Sequence, residues 1–483
     1  VIFQAIAKKI ANVLKHTPLN TATINKIVNE QGLADVEKLK SFITKNEMSL
    51  SAATLGKIAE LANTSRTDNA AFFTSKTLIT EMMKSLPDTD QLTVRILEPS
   101  VGVGNFIPLI LKKFEGKEII LDVVDIDEHS LEIAKLILKN YDIPQNCTIN
   151  YIADDFLLHD FDERYDYIIG NPPFYKMKSV NTLLNVYRQN AINRDTTNIC
   201  SFFLDKAMNI GNYVALVFPK FLLNTPEFAK TREYLSEEAV ECIIDFGEKG
   251  FPGVLVETLA IFINTQGCPL KTNVFSFTHG IRLEQAQDYI FDKKLPYWII
   301  YRDAEFDSVC KQLDFNVFKV FRDRQITNKL LSDAGDIRVL KSRNISDDGK
   351  DVIDIDGYDS YISYNEARSL SVFEYLHRED VYLTPNMTYK PRVMRKPKDT
   401  LVNGSLAILV PKGQIIPTEA QLEYFSTPQY RDFYQVARNY QTRSLNVDVC
   451  SVFFYGLLRE NEKAVPIAEK LDEQENVQIS MFH

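Results

Sequence analysis

From residue 94 onward the sequence alternates short apolar runs with helix-length amphipathic segments, and this alternation limits the fold more than any other feature. The runs "VRIL", "IILDVVDID", "TINYIA", "YDYIIG", "YVALVFP", "VECIIDF" and "LAIFIN" each have strand length. Strands covered on both faces read as near-continuous apolar stretches, so the pattern predicts a parallel sheet with helices on both sides. Upstream, "IAKKIANVLK" and "TLGKIAELA" carry helical spacing with no strand-like piece, which makes residues 1–60 a helical region. Past residue 305 the rhythm turns irregular, with turn clusters such as "SDDGKD" and scattered tyrosines. The expected organisation is a helical region at 1–60, an α/β domain at 61–305 and an α+β domain at 306–483.

Composition narrows the class. With 45% hydrophobic residues in 483 the chain has material for packed cores, and neither internal repeats nor low-complexity tracts interrupt it. No apolar run approaches the roughly 18 residues of a membrane span. Lys8 and Lys9 break up the apolar start, so the expectation is a cytoplasmic protein without a membrane. The 6 cysteines are scattered singly, without the spacing of a metal site, and no metal is expected. A net charge of -10 argues against a protein that coats nucleic acid indiscriminately, though not against one basic cleft.

The chemistry gathers where the strands end. "RILEPSVGVGNF" leaves the first strand through Glu98 and Pro99, then runs over Gly102 and Gly104 into a helix whose first N–H groups are free to meet a ligand. Alone, the glycine pair is equally an ordinary tight turn. The second strand ends in Asp125, Ile126 and Asp127, about 20 residues beyond the glycines, where a carboxylate can accept both hydroxyls of a ribose. Glu98 would repel a pyrophosphate, so the crevice suits a nucleoside with a cationic amino-acid arm. S-adenosylmethionine is such a molecule. Asp155 and Phe156 follow the third strand, able to take an adenine's amino hydrogens and pack on its face; an N-cap with a core phenylalanine is the plainer reading.

The fourth strand stops at "NPPF". The side-chain oxygen of Asn171 and the carbonyl of Pro172 form a rigid acceptor pair, and Phe174 can stack on a base. Two acceptors on a conjugated amino group favour the pyramidal geometry of an attacking nitrogen and stabilise the positive charge that develops on it. A base inside a duplex cannot reach such a site without being flipped out.

With these motifs in order, the chain resembles the N6-adenine DNA methyltransferases of restriction–modification systems, in the gamma arrangement that puts the catalytic domain before the target-recognition domain. The resemblance covers residues 66 to 265, about half the chain. It implies a Rossmann-like S-adenosylmethionine-dependent domain, with an N-terminal helical region and a C-terminal α+β recognition domain. "AAFFTSKTLITEMM" resembles the motif at the methionine end of the cofactor, with Phe73 and Thr74 in the matching positions, although Ser75 stands where that motif usually has proline. "ILEPSVGVGNF", "VVDID" through Asp125 and Ile126, and "ADDFLL" through Asp155 and Phe156 resemble the remaining cofactor motifs. In "FGEKGFPGVLVETLAIFI", Phe251 matches an aromatic beside the flipped adenine. The C-terminal stretches resemble a subgroup associated with type IIS restriction systems.

For duplex DNA, "NMTYKPRVMRKPK" offers Lys390, Arg392, Arg395, Lys396 and Lys398 without an acidic residue, enough to neutralise phosphates. "ARNYQTRSLN" offers Arg438, Arg443 and Asn446, residue types that read guanine and adenine edges. The expected state is a monomer on DNA, with a separately encoded restriction endonuclease as partner; no nuclease constellation is recognisable beside the motifs. The alternatives are a methylation subunit of a multi-chain system, a methyltransferase of a protein glutamine amide, and a catalytically silent binding module.

Overall fold

The computed structural model describes residues 20–63, 76–141, 143–249, 256–442 and 446–459. Phe73, Thr74, Phe251 and Arg443 therefore lie outside the described residues. The chain divides into two compact units, Val1–Tyr301 with Gln441–Ser444, and Arg302–Tyr440 with Leu445–His483.

The described part of the first unit opens with helices α1 (Thr21–Gln31), α2 (Val36–Lys45) and α3 (Ala52–Ala62). Each starts at a polar residue whose side chain accepts a first-turn N–H: Asn20, Asp35 and Ser51. Their apolar stripes converge. Ile24, Leu39, Leu55 and Ile58 share one core cluster with Val103, Ile133 and Ile137, so these helices are packed onto the glycine-bearing loop and the helix behind it. Burying each such aliphatic side chain is worth about 1.5–3 kcal/mol, ample to hold the helices in place.

Next come α4 (Lys76–Ser85), β1 (Thr93–Glu98), α5 (Ile107–Lys113), β2 (Glu118–Asp125), α6 (Glu128–Leu138), β3 (Cys147–Ala153), β4 (Tyr165–Gly170), α7 (Thr182–Gln189), α8 (Ile199–Ile210), β5 (Gly211–Pro219), α9 (Ala229–Leu235), β6 (Ala239–Gly247), β7 (Thr258–Asn264), β8 (Lys271–Ser276) and β9 (Arg282–Ala286). The strands form a 9-stranded sheet in the order β3-β2-β1-β4-β5-β7-β6-β8-β9. β1 to β5 are parallel to one another. β7 runs antiparallel between β5 and β6, a departure from the all-parallel expectation. Its cause is the connection over 248–257, too short for the crossover that a parallel neighbour needs.

The second unit contains α10 (Ala304–Gln312), β10 (Leu313–Asp314), β11 (Phe318–Phe321), β12 (Ile337–Leu340), β13 (Ser360–Ile362), β14 (Tyr382–Pro385), β15 (Met394–Arg395), β16 (Thr400–Val402), β17 (Leu406–Pro411), α11 (Pro428–Ala437) and β18 (Leu457–Leu458). Its strands form small sheets, β11-β17-β14-β15 and β13-β12-β16, around a core that includes Val339, Leu383, Leu401 and Ile408. No helix among the described residues is long and apolar enough to cross a membrane.

Candidate active site

The chain runs outward from β1 through β2 to β3, then returns to build β4 and β5 on the other side of β1. The order reverses between β1 and β4, which pair directly at Ile96↔Tyr167 and Leu97↔Ile168. In an open α/β sheet, a crevice forms outside the carboxyl ends of the strands at that point. Glu98, Asp125, Ala153, Gly170 and Pro219 are the last residues of β1 to β5, so the motifs that follow β1 to β4 leave the sheet at this edge.

Glu98 is 0% exposed, and neither carboxyl oxygen has a hydrogen-bond partner among the described residues. Burial pushes its carboxyl well above the usual range, and the nearby Asp125 adds to the shift. Asp125 is itself raised by burial, partly offset by the N–H groups it accepts. Those bonds come from Gly102 to Oδ2 at 2.8 Å and from Asp127 to Oδ1 at 2.9 Å. Gly102 adopts φ +53° and Gly104 φ +86°, the left-handed region that glycine tolerates. A Cβ at Gly102 would meet nothing within 4 Å, so the loop opens onto space on that side. Asp127 instead caps α6, accepting the His129 N–H. A buried acid without a partner among the described residues, beside a second acid, is an electrostatic well for a cation, and each Asp125 oxygen keeps acceptor capacity for a hydroxyl.

Ile126, beside Asp125, is 74% exposed, an apolar side chain left uncovered at the lip. Asp155 is held from two sides: its Oδ1 accepts the Leu157 N–H at 2.9 Å and its Oδ2 accepts the Tyr187 hydroxyl at 2.6 Å. Phe156 is buried, its ring 4.9 Å from that of Phe203 and 5.8 Å from that of Phe161, so the plainer core reading describes its present contacts.

The "NPPF" loop is tied to the first loop. Ser100 Oγ donates to the Asn171 carbonyl at 3.0 Å. A Cβ on Gly170 would lie 3.0 Å from Pro99 Cδ, so any larger residue would press the two loops apart by a few tenths of an ångström. Beyond Asn171 and Pro172, the Phe174 carbonyl accepts from buried Asn198 Nδ2 at 3.2 Å, and the Tyr175 carbonyl accepts the Ile199 N–H at 3.2 Å. The start of α8 thus clamps the segment from behind. Ser100, Gly170, Tyr187 and Asn198 were not singled out in the sequence. Their partners are distant along the chain, and no local pattern marks them.

In the second unit the basic residues separate by burial. Lys390, Arg395 and Lys398 are exposed. Two expectations are corrected. Lys396 is 1% exposed, and its ammonium donates to the carbonyls of Leu376 at 3.0 Å and Pro397 at 2.8 Å; burial pulls its pKa down to about 8. Arg438 is 2% exposed and ends α11, donating to the Asn446 carbonyl at 3.4 Å. Neither charge is presented to solvent, so neither can reach a phosphate from this conformation. Half-buried Arg392 donates to the carbonyls of Ser342 and Ile345, and Asn446 Oδ1 accepts from Asn386 Nδ2 at 2.8 Å, a bond that pins two loops together.

Residues 34–251 match the family described as Eco57I restriction-modification methylase. Among curated proteins, the type II methyltransferase M.VspI of Vibrio sp. (strain 343) is 26% identical over 265 residues, 53% of this chain and 61% of that protein. The type II methyltransferase M.CvrRI of Paramecium bursaria Chlorella virus XZ-6E is 29% identical over 181 residues, 37% of this chain and 43% of that protein. The chain therefore spans less than two thirds of the length of either. Among solved structures, the type IIG restriction endonuclease BpuSI aligns with a TM-score of 0.47 and 12% identity, over 86% of this chain and 62% of that one. Over residues 34–251, the stretch that forms the crevice from β1 to β6, the chain matches the restriction-modification methylases that its motifs resemble.

Proposed function

We propose that this chain is a site-specific DNA adenine-N6 methyltransferase, acting on a flipped-out adenine in duplex DNA as the modification enzyme of a restriction–modification system. The observation that carries the reading is the joining of two loops at the switch point. The loop that bears Asn171 and Pro172 is bonded through Ser100 to the loop that bears Glu98, a buried acid with no hydrogen-bond partner among the described residues. An amino-group acceptor pair and a cation well therefore share one crevice.

S-adenosylmethionine supplies an electrophilic sulfonium methyl when bound, and the residues fit it. Glu98 would take its ammonium group, Asp125 the ribose hydroxyls, Ile126 and Phe156 the faces of its adenine, and Asp155 the adenine amino group. Phe73 and Thr74 would complete the methionine end. At the target, Asn171 Oδ1 and the Pro172 carbonyl would accept the two amino hydrogens of the extruded base, with Phe174 against its ring and Phe251, outside the described residues, expected beside it. That arrangement localises the nitrogen lone pair and stabilises the charge that grows as the C–N bond forms and the methyl–sulfur bond breaks, S-adenosylhomocysteine being the leaving group, so it acts mainly in the transition state. The methylated ammonium then loses its proton to solvent, and no catalytic base is required. Among the described residues of the basic stretches, Lys390, Arg395 and Lys398 are exposed and would meet phosphates; a restriction endonuclease encoded separately is the expected partner.

The test is Asn171→Ala. Loss of one preorganised partner of the transition-state charge costs about 10²–10³ in kcat. The variant should keep S-adenosylhomocysteine affinity while DNA methylation falls by that order, and near-normal turnover would refute the acceptor role.

A further inference from the structure

Two acids follow β3, and the structure gives them different tasks. Asp154 is turned onto its own loop: its Oδ1 accepts the Asp155 N–H at 2.8 Å and its Oδ2 lies 2.8 Å from His159 Nδ1. Asp155 is held across a long stretch of sequence by Tyr187 in the last turn of α7, which begins just after the "NPPF" loop. The 2.6 Å distance is that of a hydroxyl donating to a charged oxygen. Tyr187 is buried, its ring 5.9 Å from that of Phe202, so the hydroxyl is delivered by a fixed side chain.

An aspartate has a broad, two-fold preference about its terminal torsion, and an unanchored carboxylate turns easily. Here the Leu157 N–H fixes one oxygen and the tyrosine hydroxyl fixes the other. A neutral donor orients the carboxylate without cancelling its charge, as an arginine or lysine would. Each oxygen also retains a second acceptor direction. A carboxylate held in this way welcomes an amino group and rejects a carbonyl oxygen at the same place, because two acceptors then face each other.

We propose that Tyr187 is a positioning residue that sets Asp155 to recognise the amino group of the cofactor's adenine, making the site selective for adenosyl over inosyl ligands. This rests on the cofactor assignment made above, and the experiment separates the two. The full chain is titrated by calorimetry with S-adenosylhomocysteine and with S-inosylhomocysteine, which carries an oxygen in place of the amino group. The wild type should prefer the adenosyl ligand. Tyr187→Phe keeps the ring against Phe202 and removes only the hydroxyl. It should weaken adenosyl binding about tenfold, the scale of one hydrogen bond to a charged group, and leave inosyl binding unchanged. In Asp155→Ala, adding Tyr187→Phe should change nothing further, because the hydroxyl acts through the carboxylate. Initial rates should show KM for S-adenosylmethionine rising in Tyr187→Phe with kcat retained. Equal weakening of both ligands, or no weakening, overturns the role of Tyr187 and leaves the cofactor assignment standing. A wild type that binds the two ligands equally also overturns it, and one that binds neither overturns the cofactor assignment as well.

Discussion

Glu98→Gln takes an ionisable carboxyl out of the crevice while keeping the side chain's shape. Both Glu98 oxygens are buried without a partner among the described residues, and its carboxyl is raised by burial and then by Asp125. A group whose pKa is higher in the folded than in the unfolded chain contributes stability below its unfolded value, about 4.3, and loses it as the pH rises through the folded value. The wild type should therefore lose stability relative to Glu98→Gln as pH climbs from 4.3 towards neutrality. Ligand binding reverses the preference. A hydrogen bond between charged partners is worth about 1.5–3 kcal/mol, and the two unpaired oxygens place Glu98 at the upper end, near a hundredfold in Kd. Binding also requires the carboxyl to ionise, so the wild type should release protons that the variant does not. Calorimetry with S-adenosylhomocysteine in buffers of different ionisation enthalpy reads affinity and proton release together, and thermal melts across pH read the stability. A variant that binds within about threefold of the wild type, below 1 kcal/mol, and melts with the same pH profile would refute the cation-well argument.

Asp125→Ala removes the acceptor for the Gly102 and Asp127 N–H groups as well as the ribose partner; calorimetry should show a loss of cofactor affinity on the order of tenfold or more. Gly170→Ala forces a methyl group to 3.0 Å from Pro99 Cδ; overpacking of this kind costs about 1–3 kcal/mol, which a denaturant midpoint would report. Lys390→Ala should leave folding untouched but weaken DNA binding and reduce its salt slope by about 1, measured by titrations at several salt concentrations. Lys396→Met tests the buried lysine. Its pKa is lowered to about 8, so the wild type carries the cost of a buried ammonium below that pH and sheds it as pH rises towards the ordinary value near 10.4. The stability of the variant relative to the wild type should thus fall across that window, and a flat difference in denaturant melts would contradict the assignment.

Much of the catalytic sheet can be read directly from the sequence, because strands covered on both faces must be apolar throughout and their ends must turn. "YDYIIG" and "YVALVFP" are such runs, and they became β4 and β5. Strand direction is a different matter: the antiparallel run of β7 follows from the length of a connection, not from the composition of the strand. β8 and β9 escaped because they lie near the margin, with alternating burial and polar residues that resemble loop sequence. In the site, the order of acidic strand ends was legible, but the bonds that position them were not. The Tyr187 hydroxyl on Asp155 and the Ser100 hydroxyl on Asn171 join residues brought together only by tertiary packing. Cation clusters misled for a related reason. A lysine run looks alike whether its ammonium groups face water or, as at Lys396, cap carbonyls inside a small domain.

The base that receives the methyl group bears most directly on the acceptor pair at Asn171 and Pro172. Duplex DNA of varied sequence, incubated with the purified chain and S-adenosylmethionine labelled in its methyl, is digested to nucleosides and resolved by mass spectrometry. The account predicts labelled N6-methyldeoxyadenosine only from duplexes that share one sequence, abolished by Asn171→Ala. Label on cytosine or on a protein amide, or an unlabelled duplex from a chain that binds the cofactor, would contradict it.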